Sequence, residues 1–81
     1  MALKVLATET TLTSATNVSL ATVVRVINTS TAALVTRKDI DGVTVGSFTM
    51  AANEIAFVEK DPTDTLEGGA GFKAVKVAYS N

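Results

Sequence analysis

Apolar and polar residues alternate along most of this chain with the two-residue period of a β-strand. Near the C-terminus, Val75, Val77 and Tyr79 fall on one face of a predicted strand over residues 72–79, because successive side chains of a strand point to opposite faces. Residues 20–28 are apolar on both faces, which indicates a strand in the middle of a sheet. The pattern predicts strands at residues 3–8, 10–13, 20–28, 33–38, 43–50, 55–60 and 72–79.

Turn residues separate these strands. Asp41-Gly42 lies between two apolar runs and predicts a hairpin with a type I′ turn. A switch of the apolar face around Gly46 predicts a bulge or bend. Pro62 ends the strand before it, since proline has no N–H for a sheet. The glycine-rich residues 66–71 are expected to form a mobile or tightly turning loop.

Composition supports an all-β fold. Valine, threonine and isoleucine number 11, 13 and 3 and make up a third of the 81 residues, and β-branched side chains favour sheets. With only four aromatic residues (three Phe and one Tyr), the core must be built from small side chains. We therefore predict one thin β-sandwich over residues 1–81, made of six or seven short, mainly antiparallel strands. Residues 1–13 are expected to form an N-terminal arm or an edge strand.

The residue inventory argues against catalysis. The chain has no histidine and no cysteine, so His-dependent nucleophilic systems, disulfides and the usual zinc sites are excluded. Residues 39–42, Asp-Ile-Asp-Gly, resemble the opening of a calcium loop but lack its later ligands, which favours a polar turn. The acidic residues 59–67 would bind a divalent ion only if their loop folded back. We expect no enzyme activity, no cofactor and no metal.

Charge and size narrow the choice of partners. The formal net charge is -1, with seven basic and eight acidic residues scattered along the chain. No basic stripe suggests nucleic acid, no apolar run approaches a membrane span, and the first residues do not form a signal peptide. A chain this short has limited capacity to bury its surface, and it lacks disulfides and zinc. Association with copies of itself or with other chains is therefore expected.

Five apolar residues are candidates for such contacts. A sandwich buries one face of each sheet. Three residues, Phe48, Met50 and Phe72, are therefore expected to lie outside the core and to contact another subunit. Leu3 and Val5 belong to an N-terminal segment, residues 2–13, that suits strand addition to a neighbour.

Four stretches of the chain carry a resemblance to known proteins: VRVINTS at 24–30, GSFTMAANE at 46–54, FVEKDPTDTL at 57–66 and VKVAY at 75–79. The likeness covers most of residues 20–81 and rests on turn spacing and on the stretch ending Thr-Asp-Thr-Leu at residues 63–66. Together these stretches resemble small virion structural proteins of tailed bacteriophages, especially marine cyanophages.

This resemblance implies an immunoglobulin-like β-sandwich present in many copies on the surface of a virion, after synthesis in the host cytoplasm. The expected role is a capsid cement or decoration protein that stabilises the head lattice. Its partners would be the major capsid protein or other virion proteins, and a homo-oligomer, with a trimer favoured. Two alternatives stay open: decoration of the neck or tail, and a small sugar- or receptor-binding module of a fibre or adhesin.

Overall fold

A computed structural model describes residues 2–80, and every regular element in that range is a β-strand. The sequence has no convincing helical pattern, and its many β-branched residues favour the strand conformation. The strands in chain order are β1 (Ala2–Val5), β2 (Thr10–Leu12), β3 (Val23–Asn28), β4 (Ala33–Lys38), β5 (Thr44–Met50), β6 (Ile55–Glu59), β7 (Thr65–Glu67) and β8 (Gly69–Ser80).

The strands form two antiparallel sheets. In the five-stranded sheet, the long strand β8 pairs with β3 on one edge, and β6 follows β3. Strands β1 and β2 pair with different stretches of β8. The three-stranded sheet has the order β5-β4-β7. The prediction of an all-β sandwich with antiparallel strands is confirmed, with eight strands because the three-residue β7 forms where the sequence predicted the start of a loop.

The core lies between the two sheets and is built mainly from aliphatic side chains. Val24 and Val26 of β3 face Val35 of β4, and each of the three is at most 1% exposed. Phe72 is the largest buried side chain. The other fully or nearly buried members of this cluster are Leu12, Val18, Ala21, Met50, Leu66 and Ala74.

The glycine-rich segment was expected to be a mobile or tightly turning loop, but strands occupy it on both sides of Gly68. Strand β8 begins at Gly69, and Leu66 of β7 is fully buried. A Cβ on Gly68 would lie 2.7 Å from the Phe72 ring, and one on Gly71 would lie 2.6 Å from the Ser30 Cβ. These glycines are needed because neighbouring groups occupy the space of a side chain.

The β4–β5 hairpin forms where it was predicted, with a different turn. Only Gly42 has a positive φ, 81°, whereas a type I′ turn needs it at both central residues. The Asp39 carboxylate accepts the N–H groups of Asp41 and Val43 at 2.9 and 3.0 Å. Residues 39–42 are thus a polar hairpin turn, as expected, and the pairing shifts opposite Gly46, which confirms the predicted bulge.

Two buried polar side chains tie the structure together at opposite ends of β3. The Asn28 amide donates to the carbonyl oxygens of Met50 and Thr31 at 3.0 and 2.9 Å, and so joins the two sheets. Lys60 follows β6 and is 4% exposed. Its ammonium donates to the carbonyl of Ala21 at 2.7 Å and more weakly to those of Asp61 and Pro62. Each buried polar group therefore has partners, as stability requires.

A left-handed turn precedes β3 and includes Leu20, which was predicted to begin the strand. Val18, Ser19 and Leu20 have φ of 52°, 61° and 58°, a region that costs an L-residue about 1–2 kcal/mol. Asn17 stabilises the turn, since its side-chain oxygen accepts the Leu20 N–H at 3.1 Å and its carbonyl accepts the Ala21 N–H at 3.3 Å. The turn carries Val18 into the core, where it is 3% exposed.

Relief of this strain should stabilise the protein. We expect Ser19→Gly to raise the free energy of unfolding by about 0.5–1 kcal/mol, because glycine avoids the left-handed penalty at the cost of some unfolded-chain entropy. Ser14→Gly is the matched control: it is also an exposed loop serine but lacks a positive φ, and it should lower stability. Urea unfolding of both variants measures the difference, and equal losses would contradict the strained turn.

An ion-pair cluster links β4 to the turn between β6 and β7. Arg37 donates its Nε–H to Asp64 at 2.8 Å, and the Asp61 N–H reaches the same carboxylate oxygen at 3.2 Å. The Arg37 hydrogen bond lowers the pKa of Asp64 below its ordinary value of 3.8. Burial lowers the pKa of the nearby Lys60 ammonium, and the charge of Asp64 opposes that shift.

The lowered pKa makes the contribution of Asp64 depend on pH. A carboxyl group with a depressed folded-state pKa stabilises the fold above its unfolded value of 3.8, and this contribution disappears as the pH falls through the folded-state pKa. We therefore expect Asp64→Asn to be less stable than the wild type at neutral pH, and the gap to close in acid. Urea unfolding of both proteins across that range tests this, and a constant gap would contradict it.

Candidate protein-contact surface

The side of the five-stranded sheet that faces away from the core is largely apolar. Directly paired residues of antiparallel strands lie on the same face. Leu3 pairs with Tyr79 and Val5 with Val77, while Arg25 pairs with both Val75 and Phe57. We call this surface the outer face, and its apolar members are Leu3, Val5, Val23, Ile27, Ile55, Phe57 and Tyr79, together with Val75 and Val77, which neighbouring groups bury to 5% and 2% exposure.

Several of these side chains are exposed to a degree unusual for their type. Val5 is 63% exposed, Ile55 and Phe57 are each 48% exposed and Tyr79 is 49% exposed. The rings of Phe57 and Tyr79 lie with centroids 5.8 Å apart and tilted by 50°, a favourable aromatic geometry. Phe57 lies on β6 and Tyr79 on β8, so the two rings meet across the intervening strand β3. We call this ring pair the aromatic spot.

The outward side of the three-stranded sheet is different. Thr36 lies between Ser47 and Glu67 there, and Lys38 binds Glu67 through an ion pair of 2.8 Å. Leu34 is 51% exposed on this side, and the β4–β5 hairpin also exposes Ile40, Val43 and Val45 by 71%, 60% and 53%. A solvated sheet face normally carries polar residues. Both sheets therefore expose apolar side chains, and the outer face is distinguished by its exposed aromatic pair, Phe57 and Tyr79. Large exposed apolar patches mark interaction sites.

Three charged residues accompany the apolar side chains of the outer face. Arg25 lies in its middle, opposite Phe57 and Val75. Lys73 pairs with Ile27, and its ammonium contacts the Thr11 hydroxyl at 3.2 Å. Glu59 pairs with Val23. The outer face is therefore apolar with a small excess of positive charge, which suits a partner surface that is apolar and carries an acidic group.

The predicted contact residues divide between surface and core. Leu3 and Val5 lie on the outer face, and Phe48 lies on β5, where it is 37% exposed. The prediction is wrong for Met50 and Phe72, which are 0% and 1% exposed. Both point inward because their paired partners, Ala33 and Asn28, lie on core-facing sides of their strands.

Sequence reasoning missed the aromatic spot. The alternation over residues 55–59 placed Ile55 and Phe57 together, which was a usable signal. Tyr79 was expected in a core strand, and β8 is indeed the central strand, but Tyr79 lies on its outward side. What was missing is the pairing across β3 that brings residues 57 and 79 together, because it depends on register between distant strands.

Phe57 and Phe72 provide a direct test of this division. Phe72→Ala should destabilise the protein by about 3–5 kcal/mol, the cost of a cavity in the core. Phe57→Ala should cost about 1 kcal/mol, because it loses mainly the contact with Tyr79. Thermal unfolding of the two variants provides the measurement. A larger loss for Phe57→Ala would show that the outer face is part of the folding core.

Other kinds of site have no counterpart in the described part of the chain. Over residues 2–80, the acidic side chains do not gather in threes to hold a metal ion. The same residues contain no helix long and apolar enough to span a membrane. Compared with protein-family models, with curated proteins and with solved structures, the chain gave no match.

Proposed function

We propose that this chain is a non-enzymatic structural protein of a bacteriophage virion, a cement or decoration protein that attaches to the head lattice through the outer face. The observation that carries the proposal is the row of exposed apolar side chains on the outer face, which includes the Phe57–Tyr79 ring pair. The resemblance of residues 20–81 to small virion proteins supports the choice of particle. The major capsid protein is the proposed partner, and the virion surface is the proposed location.

The energetics of the outer face favour attachment in many copies. Burial of a half-exposed Leu, Val or Phe side chain contributes about 1 kcal/mol. Association costs at least about 4 kcal/mol in lost translation and rotation, so the five most exposed apolar side chains of this face yield only weak binding. A homo-oligomer would strengthen attachment because each further contact becomes intramolecular.

A second candidate function rests on the Phe57–Tyr79 pair. A sugar- or receptor-binding module of a fibre or adhesin needs exposed aromatic rings, and Tyr79 supplies one together with a phenolic hydroxyl. Decoration of the neck or tail uses the same contact chemistry as decoration of the head. Binding to a glycan array would favour the sugar-binding candidate.

Substitutions on opposite faces test the proposed attachment. The probe is the phage head of the virus that encodes this chain, prepared without it. We expect Phe57→Asp to weaken co-sedimentation with heads at least about tenfold, which corresponds to about 1.4 kcal/mol, because it places a charge in the apolar contact. Leu34→Asp is the matched control, since Leu34 is also an exposed apolar residue but lies on β4, on the outward side of the other sheet.

The location needs its own measurement. Antibodies against the chain, imaged on intact virions by electron microscopy, should label the head. Label confined to the tail would overturn head placement and leave tail decoration. Equal binding by Phe57→Asp and Leu34→Asp would overturn the role of the outer face.

A further inference from the structure

Strand β5 is an unusual edge strand. An edge presents unpaired backbone groups that can recruit another strand, and proteins commonly protect edges with charged residues, proline or short length. The edge strands β1, β6 and β7 each contain a charged residue, and β2 is three residues long. Strand β5 has seven residues, TVGSFTM, with neither charge nor proline. Its bulge falls before Gly46, so residues 46–50 pair regularly with β4 and form the regular part of this edge.

The exposure of β5 matches its sequence. Its first six residues are all exposed, and only Met50 is buried. Strand β4 pairs with one side of β5, and in the described chain no other strand pairs with the opposite side. In such a strand about half of the backbone N–H and C=O groups point away from the sheet. The edge therefore offers a row of hydrogen-bonding groups to an extended backbone.

We propose that β5 pairs antiparallel with β5 of a second copy of this chain, so that two three-stranded sheets join into one continuous sheet. A second copy is the occupant that the charges favour, because a strand without charges meets no like-charge repulsion when it pairs with itself. The pairing is isologous and closes at two copies. It involves neither the outer face nor any residue of the proposed attachment.

The register follows from the strand itself. Ser47 is the midpoint of Thr44–Met50, and pairing about this residue places the two Ser47 residues opposite each other on the two-fold axis. The central pairs then use Gly46, Ser47 and Phe48, which lie beyond the bulge. Phe48 of each copy then lies opposite Gly46 of the other. Phe48 is 37% exposed, and the space where a Gly46 Cβ would lie has no atom within 4 Å. An aromatic ring across from an edge glycine is a stabilising pair in sheets.

The geometry of this dimer has a consequence for binding. A two-fold axis perpendicular to the joined sheet keeps corresponding faces of the two copies on the same side of that sheet. The two outer faces then point to one side of the dimer, and the outward sides of the three-stranded sheets point to the other. Such a dimer can contact a flat surface through two outer faces at once.

Charge substitutions at Ser47 test the pairing. Light scattering from the micromolar to the millimolar range should show the wild type approaching twice its 8.4 kDa mass. Ser47→Lys and Ser47→Glu should each lose that twofold increase, because like charges then face each other on the axis. An equal mixture of the two variants should recover it, since Lys then faces Glu. Thr36→Lys is the matched control on the neighbouring strand and should dimerise like the wild type.

Each alternative result is decisive. A wild type that stays monomeric or forms trimers overturns the pairing, as do Ser47 variants that still dimerise or a mixture that does not recover the dimer. Hydrogen exchange of the unmodified chain provides a second readout, in which β5 amides should slow as concentration rises while β6 amides do not. Neither measurement uses phage heads, so failure of head binding and failure of dimerisation are separate outcomes.

Discussion

The register between β3 and β8 is the constraint on which the rest of the structure depends. It sets Val26 opposite Ala74 and Asn28 opposite Phe72 on the core side, and Arg25 opposite Val75 on the outward side. A slip by one residue would exchange the two faces of β8. Lys73 would then take a core-facing position in place of Phe72, and Phe72 would turn outward. The same pairing therefore decides both what fills the core and what forms the outer face.

A core of small side chains explains the importance of the buried polar groups. Aliphatic residues of this size leave a thin hydrophobic layer, so the ends of the sandwich are held by hydrogen bonds as well. Asn28 connects β3 to the end of β5, and Lys60 connects the end of β6 to the left-handed turn before β3. Removal of one partner of a buried hydrogen bond is costly. These two side chains thus fix how the sheets sit on each other, while the aliphatic cluster provides the area.

Local pattern predicted the strands well, and it failed where distant segments meet. Strand β4 and the bulge near Gly46 follow from alternation and turn residues alone. Gly68 and Gly71 were interpreted as a flexible loop because nothing nearby in the sequence reveals the Phe72 ring or Ser30 beside them. The contact predictions for Met50 and Phe72 failed for a related reason. Which face of a strand is inward depends on pairing with a strand many residues away, and the sequence of one strand does not specify it.

The two unpartnered features of the surface differ in chemistry and are complementary in geometry. The outer face has exposed side chains but offers little free backbone, so its binding is governed by apolar area and by the positive charge of Arg25. The β5 edge has free backbone and uncharged side chains, so its binding is governed by hydrogen bonds and register. Because weak contacts through the outer face gain strength only when several act together, an edge that aligns two outer faces on one side would convert a weak surface into a firm attachment. The three-stranded sheet, joined across two copies, would then also set the distance between the two outer faces.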